Sequence, residues 1–162
     1  MKSIAEIKIE IERLAAMIGA LDSHALPMYE RTEDFARPHI EVNSSGYHFV
    51  VIERGQELER FTTFALEDLL CKIFHGVTFS LASDYELAHR IESQDCRRTI
   101  FRRQVELLAL ISKRWADCAI VEHEQILREH LFDDHSAMRA SLSARVGWKK
   151  ACEQYPISLK SP

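Results

Sequence analysis

Apolar residues at the start of the chain recur at spacings of three and four, which is the period of an α-helix. They form one stripe, which consists of Ile4, Ile7, Ile11, Leu14 and Ile18. Ser3 and Glu6 have the spacing of a capping box, in which each side chain bonds a backbone N–H that the first helical turn leaves without a partner. The pattern therefore predicts an amphipathic helix over residues 3–21, followed by a loop over residues 22–36.

The period changes to two at about residue 39, which is typical of β-strands with one buried face. Turn residues interrupt the alternation at residues 43–46 and again at residues 55–56. Inward-facing side chains are expected at every second position, at Ile40, Val42, Tyr47, Phe49 and Val51. Three antiparallel strands in a meander follow from these turns.

Helical spacing returns after residue 63 and is divided into four segments by glycine or polar residues. The predicted helices cover about residues 63–76, 77–92, 97–112 and 115–131, and Gly76 ends the first of them. Strands and helices are thus separated along the chain, which predicts an α+β fold: an N-terminal helix, a three-stranded antiparallel meander and then four helices packed on the sheet. Five elements are expected to contribute to one core, through Ile11, Phe49, Leu69, Tyr85 and Leu108.

Charge is distributed unevenly along the 162 residues, whose formal net charge is -4. Residues 136–162 hold five basic side chains and one acidic side chain, so this segment carries +4 and residues 1–135 carry -8. The basic segment also contains few apolar residues at regular spacing. We therefore expect a single α+β domain over residues 1–134 and a basic C-terminal extension over residues 135–162 that is partly helical or disordered.

The composition is that of a folded cytosolic protein, with 46% hydrophobic and 28% charged residues. No apolar run approaches the ~18 residues needed to span a bilayer, and the charged first turns do not resemble a secretory signal. The four cysteines lie far apart and form no Cys-x-x-Cys pair, so reduced and mostly buried thiols are expected. These features predict a cytoplasmic protein without a membrane partner.

His39, Glu41 and His48 are the strongest candidates for a chemical site. Alternation places His39 and Glu41 on one face of a strand, and the first turn brings His48 close to Glu41. This cluster leaves open a small cytoplasmic enzyme or a metal-binding protein. A solvated polar sheet face is favoured, because zinc requires three or four ligands that converge at ~2 Å. No metal ion and no cofactor are therefore predicted.

The remaining motifs do not indicate catalysis or nucleic-acid binding. Glu86 and His89 form one Glu-x-x-His step, whereas a di-metal helical bundle requires two. The hydrolase, dinucleotide-binding and P-loop signatures are absent from the sequence. Arginine pairs at residues 97–98 and 102–103 have acidic neighbours at helical spacing, which favours an ion-paired helix face. We therefore predict that the protein is not an enzyme and does not bind nucleic acid.

Three segments of the chain are similar, in sequence and in order, to one known family. They read ARPHIEV over residues 36–42, GYHFVVIERGQELERFTT over residues 46–63 and VTFSLASDYELAHRIESQDCRR over residues 77–98. The chain in this respect resembles the immunity protein 63 family of bacterial polymorphic toxin systems. The resemblance extends over about residues 3–134 and includes REHLFDD at residues 128–134.

The resemblance implies an α+β protein that neutralises a toxin encoded by a neighbouring gene, by stoichiometric occlusion. Charged residues would speed the encounter with this cognate protein toxin, and a few buried anchors would hold the complex. The segments that carry the resemblance contain two blocks of polar residues that are not expected to contribute to the core. The first block surrounds the second strand turn and consists of Glu53, Arg54, Glu57, Glu59 and Arg60.

The second block lies on a predicted helix and consists of Asp84, Glu86, Arg90, Glu92 and Asp95. Its side chains are expected to point outward if Tyr85, Ala88 and Ile91 face the core. We expect the two blocks together to form the partner-binding surface. The alternative is that these residues only pair with one another, since exposed ion pairs are common and stabilise a protein by ~0–1 kcal/mol.

Overall fold

The computed structural model of the chain describes residues 1–29 and 36–157. It confirms the predicted α+β class, with one helix before the sheet and the other helices after it. In chain order the elements are α1 (Ile4–Met17), β1 (Met28–Tyr29), β2 (His39–Asn43), β3 (Gly46–Glu53), β4 (Gln56–Thr63), α2 (Leu66–Ala88), α3 (Cys96–Ile111), α4 (Lys113–Glu129), α5 (Ser136–Val146) and α6 (Trp148–Gln154). Part of the expected loop, residues 30–35, lies outside the described residues.

α1 begins as predicted and ends earlier. The Ser3 backbone N–H donates to Oε2 of Glu6 at 2.8 Å, and the Glu6 N–H donates to Oγ of Ser3 at 3.4 Å, so the capping box is confirmed. The helix ends at Met17 because the chain turns at Gly19, whose φ of +68° is rarely adopted by residues with a side chain. The apolar stripe is buried at Ile7, Ile11 and Leu14.

The sheet has four strands, in the order β1-β2-β3-β4, rather than the three predicted. β2, β3 and β4 form the expected antiparallel meander. β1 pairs in parallel with β2, and the Met28 N–H donates to the Pro38 carbonyl at 2.8 Å. β1 was not predicted because a strand of two residues is too short to show an alternating pattern.

α2 runs without interruption over Leu66–Ala88, whereas the sequence predicts two helices divided at Gly76. Gly76 lies on the exposed side of this helix. A glycine costs about 1 kcal/mol relative to alanine in a helix interior, less than the burial of one large apolar side chain contributes, about 1.5–3 kcal/mol. Tertiary packing therefore overrides the local break. The buried positions of α2 continue across the glycine at Ile73, Phe74, Val77, Thr78 and Ala82.

One hydrophobic core joins α1, the sheet and the helices α2, α3 and α4. The prediction for Tyr85 is wrong, because this residue is 36% exposed and its ring stacks on His89 with 4.1 Å between the centroids. Since α2 keeps one helical register through Gly76, its buried face passes through Ala82 and Glu86 instead. The other four predicted core residues are confirmed: Ile11, Phe49, Leu69 and Leu108.

The helices form layers rather than all packing on the sheet as predicted. α2 lies against β3 and β4, and α1 lies against β2. α3 packs on α2 and α1, and α4 packs on α3 while also contacting α2. The sheet is therefore covered mainly by α2, and α3 and α4 extend the helical part away from it.

The C-terminal segment is helical in α5 and α6, which pack mainly against each other. Arg139 joins the two helices to the preceding loop. Its buried guanidinium contacts the Asp133 carboxylate and donates from Nη1 to the Tyr155 carbonyl at 2.8 Å. Trp148, the first residue of α6, is mostly exposed. Because α5 and α6 contact mainly each other, the rest of the fold is expected to form without them.

A chain that ends at Asp134 is expected to fold with a nearly unchanged melting temperature. The truncation removes Arg139 from Asp133 but leaves the core described above intact. A loss of 1 kcal/mol lowers the melting temperature of a chain of this size by about 2–4 °C, so a change within that range is expected by circular dichroism. A much larger decrease would contradict a domain boundary at residue 134, and Arg139→Ala in the full chain would then locate its cause.

Candidate functional site

The tip of the β3–β4 hairpin presents charged side chains on a defined turn. Arg54 and Gly55 are its central residues, one position before the predicted turn, and their φ angles are +52° and +71°. Positive φ at both central residues is the geometry of a type I′ turn, whose twist matches that of the flanking strands. The Arg54 guanidinium is almost fully exposed and lies 4.0 Å from the Glu53 carboxylate.

Arg60 holds together the charges on one face of the hairpin. It donates from Nε and Nη2 to the Glu57 carboxylate, at 3.0 and 2.7 Å, and from Nη1 to Oε2 of Glu41 at 2.8 Å. These bonds lower the pKa of both carboxyl groups and raise the pKa of Arg60. All three side chains remain accessible to solvent. The network therefore fixes their positions without removing them from a partner's reach.

Glu59 connects the hairpin to the helical layer. Its Oε1 lies 2.6 Å from Nζ of Lys72, which projects from α2. The same ammonium group lies 5.4 Å from the centroid of the Phe49 ring, close enough for a cation–π contact. Glu59 thus belongs to the side of β4 that faces α2, whereas Glu57 and Arg60 belong to the network with Glu41.

The His39, Glu41 and His48 cluster is brought together but forms hydrogen bonds instead of a metal cage. Glu41 and His48 are cross-strand partners, and Nε2 of His39 lies 3.1 Å from Oε1 of Glu41. Both ring nitrogens of His48 have protein partners, at 2.8 Å from Thr62 Oγ1 and 3.0 Å from Asn43 Oδ1. Within residues 1–29 and 36–157, no three His, Cys, Asp or Glu side chains are arranged to hold a metal ion. The prediction of a solvated sheet face is wrong at this cluster, because His39 and His48 are each only 4% exposed and Nδ1 of His39 is buried without a hydrogen-bond partner.

The predicted outward direction of Glu86 is wrong. This residue is 3% exposed and accepts two hydrogen bonds from Arg90, from Nε at 3.1 Å and from Nη2 at 2.9 Å. Its position follows from the uninterrupted α2, in which residue 86 continues the buried row. Asp84 and Arg90 are exposed, as is Glu92, which lies beyond the end of α2 at Ala88.

Asp95 is also buried, and it is the N-cap of α3 rather than a surface residue. Its carboxylate accepts hydrogen bonds from the backbone N–H groups of Arg97 at 2.9 Å and Asp133 at 2.8 Å, and from Nη2 of Arg97 at 2.6 Å. Burial alone would raise the pKa of Asp95, but these hydrogen bonds outweigh it and the pKa is lowered. Asp95 therefore fixes the loop between α4 and α5 against the start of α3.

No contact between the described side chains joins the two predicted blocks. In the hairpin, Glu53 pairs with Arg54 and Glu57 pairs with Arg60, whereas Asp84 lies in the last turns of α2 and Arg90 and Glu92 follow its end. No hydrogen bond or ion pair joins the two groups within the part of the chain that the structure describes. The hairpin is consequently the more compact candidate surface.

A groove between α2 and α4 was not predicted from the sequence. The two helices run side by side in the same direction: Nε1 of Trp115 donates to Glu67 at 2.8 Å, and farther along His75 Nδ1 lies 3.5 Å from Glu122. Between these contacts Cys71 and Cys118 line one cavity. Burial raises the pKa of the Cys71 thiol to about 11. The sequence contained one signal for this arrangement. Cys71 and His75 are four residues apart, as are Cys118 and Glu122, so each pair lies on one face of its helix.

A second polar feature lies inside the helical layer. His123 is buried, its ring stacks on Phe101 with 3.9 Å between the centroids, and burial lowers its pKa. Its Nε2 lies 2.9 Å from Oε1 of Gln104, whose amide nitrogen donates to the His75 carbonyl at 3.1 Å. These contacts join α2, α3 and α4.

In the described residues, no helix combines the length and the apolar content that crossing a bilayer requires. A model of one protein family, described as Immunity protein 63, matches residues 43–125, which is half of the chain. No curated protein and no solved structure gives a significant match. The matched residues include the hairpin, α2, α3 and most of α4.

Proposed function

The chain belongs to the immunity protein 63 family, and from this premise we propose that it binds and neutralises a protein toxin encoded by a neighbouring gene. Inhibition occurs by stoichiometric occlusion in the cytoplasm of the producing cell and involves no catalysis by this chain. The family match is the observation that carries the proposal.

The partner surface of this proposal is the charged β3–β4 hairpin, extended by the exposed residues near the end of α2. Glu86 and Asp95 belong to it only indirectly, because they hold Arg90 and the start of α3 in place. Charges fixed on a rigid sheet steer the encounter with a complementary surface and favour one orientation of the partner. The surface consists of half-buried Glu53 and of the exposed residues Arg54, Glu57, Glu59, Arg60, Asp84, Arg90 and Glu92.

Co-expression with the neighbouring gene's product tests the function directly. Cells that produce the product alone should stop growing, and cells that also produce this chain should grow. The two proteins should co-purify in a 1:1 complex, because occlusion requires one inhibitor for each toxin. Failure of this chain to restore growth, or restored growth without a complex between the two proteins, would contradict neutralisation by binding.

Reversing charge on the proposed surface is expected to weaken the complex. The variant Glu57→Lys, Glu59→Lys, Asp84→Lys replaces three exposed carboxylates, and we expect about a tenfold or greater loss of affinity, mainly through slower and more salt-dependent association. Binding kinetics at two salt concentrations provide the measurement. Circular dichroism should show an unchanged fold, since single exposed ion pairs stabilise little.

The matched control carries the same change of charge elsewhere. Glu12→Lys, Glu129→Lys, Glu153→Lys alters exposed carboxylates on α1, α4 and α6. This control should bind the toxin nearly as the unmodified chain does. Equal losses of affinity in the two triple variants would show that net charge matters and that the hairpin has no special role.

A further inference from the structure

We propose that Cys71 and Cys118 form a reversible disulfide bond under oxidising conditions, which ties α2 directly to α4. Both cysteines are free thiols in the structure, and both line the cavity between the two helices. They lie inside the segment that the family model matches. The bond forms between two side chains of this chain, so it does not depend on the proposed function or on a partner.

Two cross-helix contacts bracket the cysteines. On one side Glu67 accepts from Nε1 of Trp115 at 2.8 Å, and on the other side the His75 ring lies 3.5 Å from a carboxylate of α4. Cys71 is four residues from both Glu67 and His75, so it lies on the same face of α2. Cys118 follows Trp115 by three residues, on the facing side of α4. Each cysteine thus lies in the turn between the two contacts, opposite the other.

The space between the helices allows the two sulfur atoms to meet. A disulfide requires Cα atoms about 4.4–6.8 Å apart and a defined torsion about the S–S bond. α2 and α4 contact each other less than each of them contacts α3, and the cavity between them has a volume of 530 Å³. The helices can therefore adjust to the geometry of the bond without displacing a packed core.

The two thiols differ in the way that stepwise oxidation requires. Cys118 is exposed, so an oxidant reaches it from solvent. Cys71 is half-buried, and burial raises its pKa to about 11. Its sulfur therefore stays protonated at neutral pH and reacts slowly with an oxidant in water, because the thiolate is the nucleophile. Cys118 is oxidised first, and Cys71 completes the bond.

A peroxide is the oxidant in this scheme. The Cys118 thiolate attacks one oxygen of hydrogen peroxide, the O–O bond breaks, and the released hydroxide takes the proton that the thiol has lost and becomes water. The product on Cys118 is a sulfenic acid. The Cys71 sulfur attacks it, the S–S bond forms, and the hydroxyl leaves with the Cys71 proton as a second water. The two thiols lose two electrons, and the peroxide gains them.

The other two cysteines show that exposure alone does not select the pair. Cys96 is the first residue of α3 and Cys152 lies on α6, and neither lines the cavity. The sequence predicts mostly buried thiols, but Cys96 is exposed like Cys118, and Cys152 is half-buried like Cys71. Position beside a common cavity is what distinguishes Cys71 and Cys118, and the other two serve as controls.

Oxidation of the purified chain tests the inference. The variant Cys96→Ser, Cys152→Ser keeps only the proposed pair, and one equivalent of hydrogen peroxide should remove both of its free thiols while it stays a monomer on a non-reducing gel. A tryptic digest should contain one disulfide-linked pair of peptides, with residues 71 and 118, and dithiothreitol should restore both thiols. The oxidised form should melt about 5 °C or more above the reduced form, because the bond closes a long loop.

A reagent that traps sulfenic acids tests the order of the two steps. When Cys71→Ser is added to the same variant, dimedone should label Cys118, and when Cys118→Ser is added instead, labelling of Cys71 should be about fivefold lower or less. Equal labelling would overturn the assigned order. Two thiols that stay free, disulfide-linked dimers in place of the monomer, or a bond that forms only in urea would overturn the inference itself.

Discussion

Replacement of Asp95 by alanine is expected to lower the free energy of unfolding by about 2–4 kcal/mol. Loss of an N-cap side chain costs about 0.5–2 kcal/mol, and a buried N–H left without an acceptor costs about 1–3 kcal/mol. Asp95→Ala does both, because its carboxylate accepts from the N–H groups of Arg97 and Asp133. Urea unfolding at neutral pH provides the measurement. Asp84→Ala is the control and should change the free energy by less than about 0.5 kcal/mol, since Asp84 is exposed.

The contribution of Asp95 also depends on pH in a defined direction. Its pKa in the folded protein lies below the ordinary value of 3.8, so the unfolded chain binds its proton first as the pH falls. The stabilisation is therefore complete above the ordinary value and is lost as the pH falls through the lowered value. Asp134 acts in the same direction, because hydrogen bonds from Arg98 and from the Asp95 N–H lower its pKa to about 2.

The difference in stability between the unmodified chain and Asp95→Asn should be constant above about pH 5 and shrink below pH 4. A difference that persists to pH 2 would contradict this assignment.

Replacement of Phe74 by alanine is expected to lower the free energy of unfolding by about 3–5 kcal/mol. Phe74 is fully buried and stacks on Trp115, with 6.1 Å between the ring centroids. The change opens a cavity where the sheet-facing helix α2 meets α4, and the surrounding side chains can fill it only in part. Denaturant unfolding followed by tryptophan fluorescence suits this position, because Trp115 reports on the same contact.

Phe64→Ala provides the matched control for Phe74→Ala. The chemical change is the same, but Phe64 is 71% exposed before the start of α2. We expect its effect on the free energy of unfolding to be within about 0.5 kcal/mol. Similar losses at the two positions would mean that the buried face of α2 has been assigned wrongly.

The fold could be predicted where the pattern depends on neighbouring residues. The prediction failed where contacts between distant residues decide the structure. The capping box at Ser3 depends on a few neighbouring residues and is confirmed. The inward row from Ile40 to Val51 does pack on the core, but the alternation of burial is lost because His39, His48 and Val50 between its members are buried as well. The sequence predicts a break at Gly76 because its local preference is against helix, yet packing across it keeps α2 continuous. The continuous helix buries Glu86 and leaves Tyr85 exposed, the reverse of the predicted sides.

The candidate site shows the same division. The hairpin charges from Glu53 to Arg60 lie within one turn and its strands, so their proximity could be predicted from the sequence. The groove brings together Phe61, Cys71 and Cys118, which are far apart in the chain, and only the packing of α4 beside α2 places them together. The burial of Asp95 could not be predicted, because its hydrogen bonds with Asp133 and Asp134 join residues far apart in the chain.

The contact between Asp95 and the loop after α4 has a consequence for synthesis of the chain. The Asp95 N–H bonds to the carboxylate of Asp134, which is 39 residues later. At about 5–20 residues per second, a ribosome needs roughly 2–8 s to add those residues. During that interval the start of α3 is already made while its outer hydrogen-bond partners do not yet exist. The Asp95 carboxylate can already bind Arg97 during that interval, but its bond with the Asp133 N–H forms only after α4 and the loop that follows it have been made.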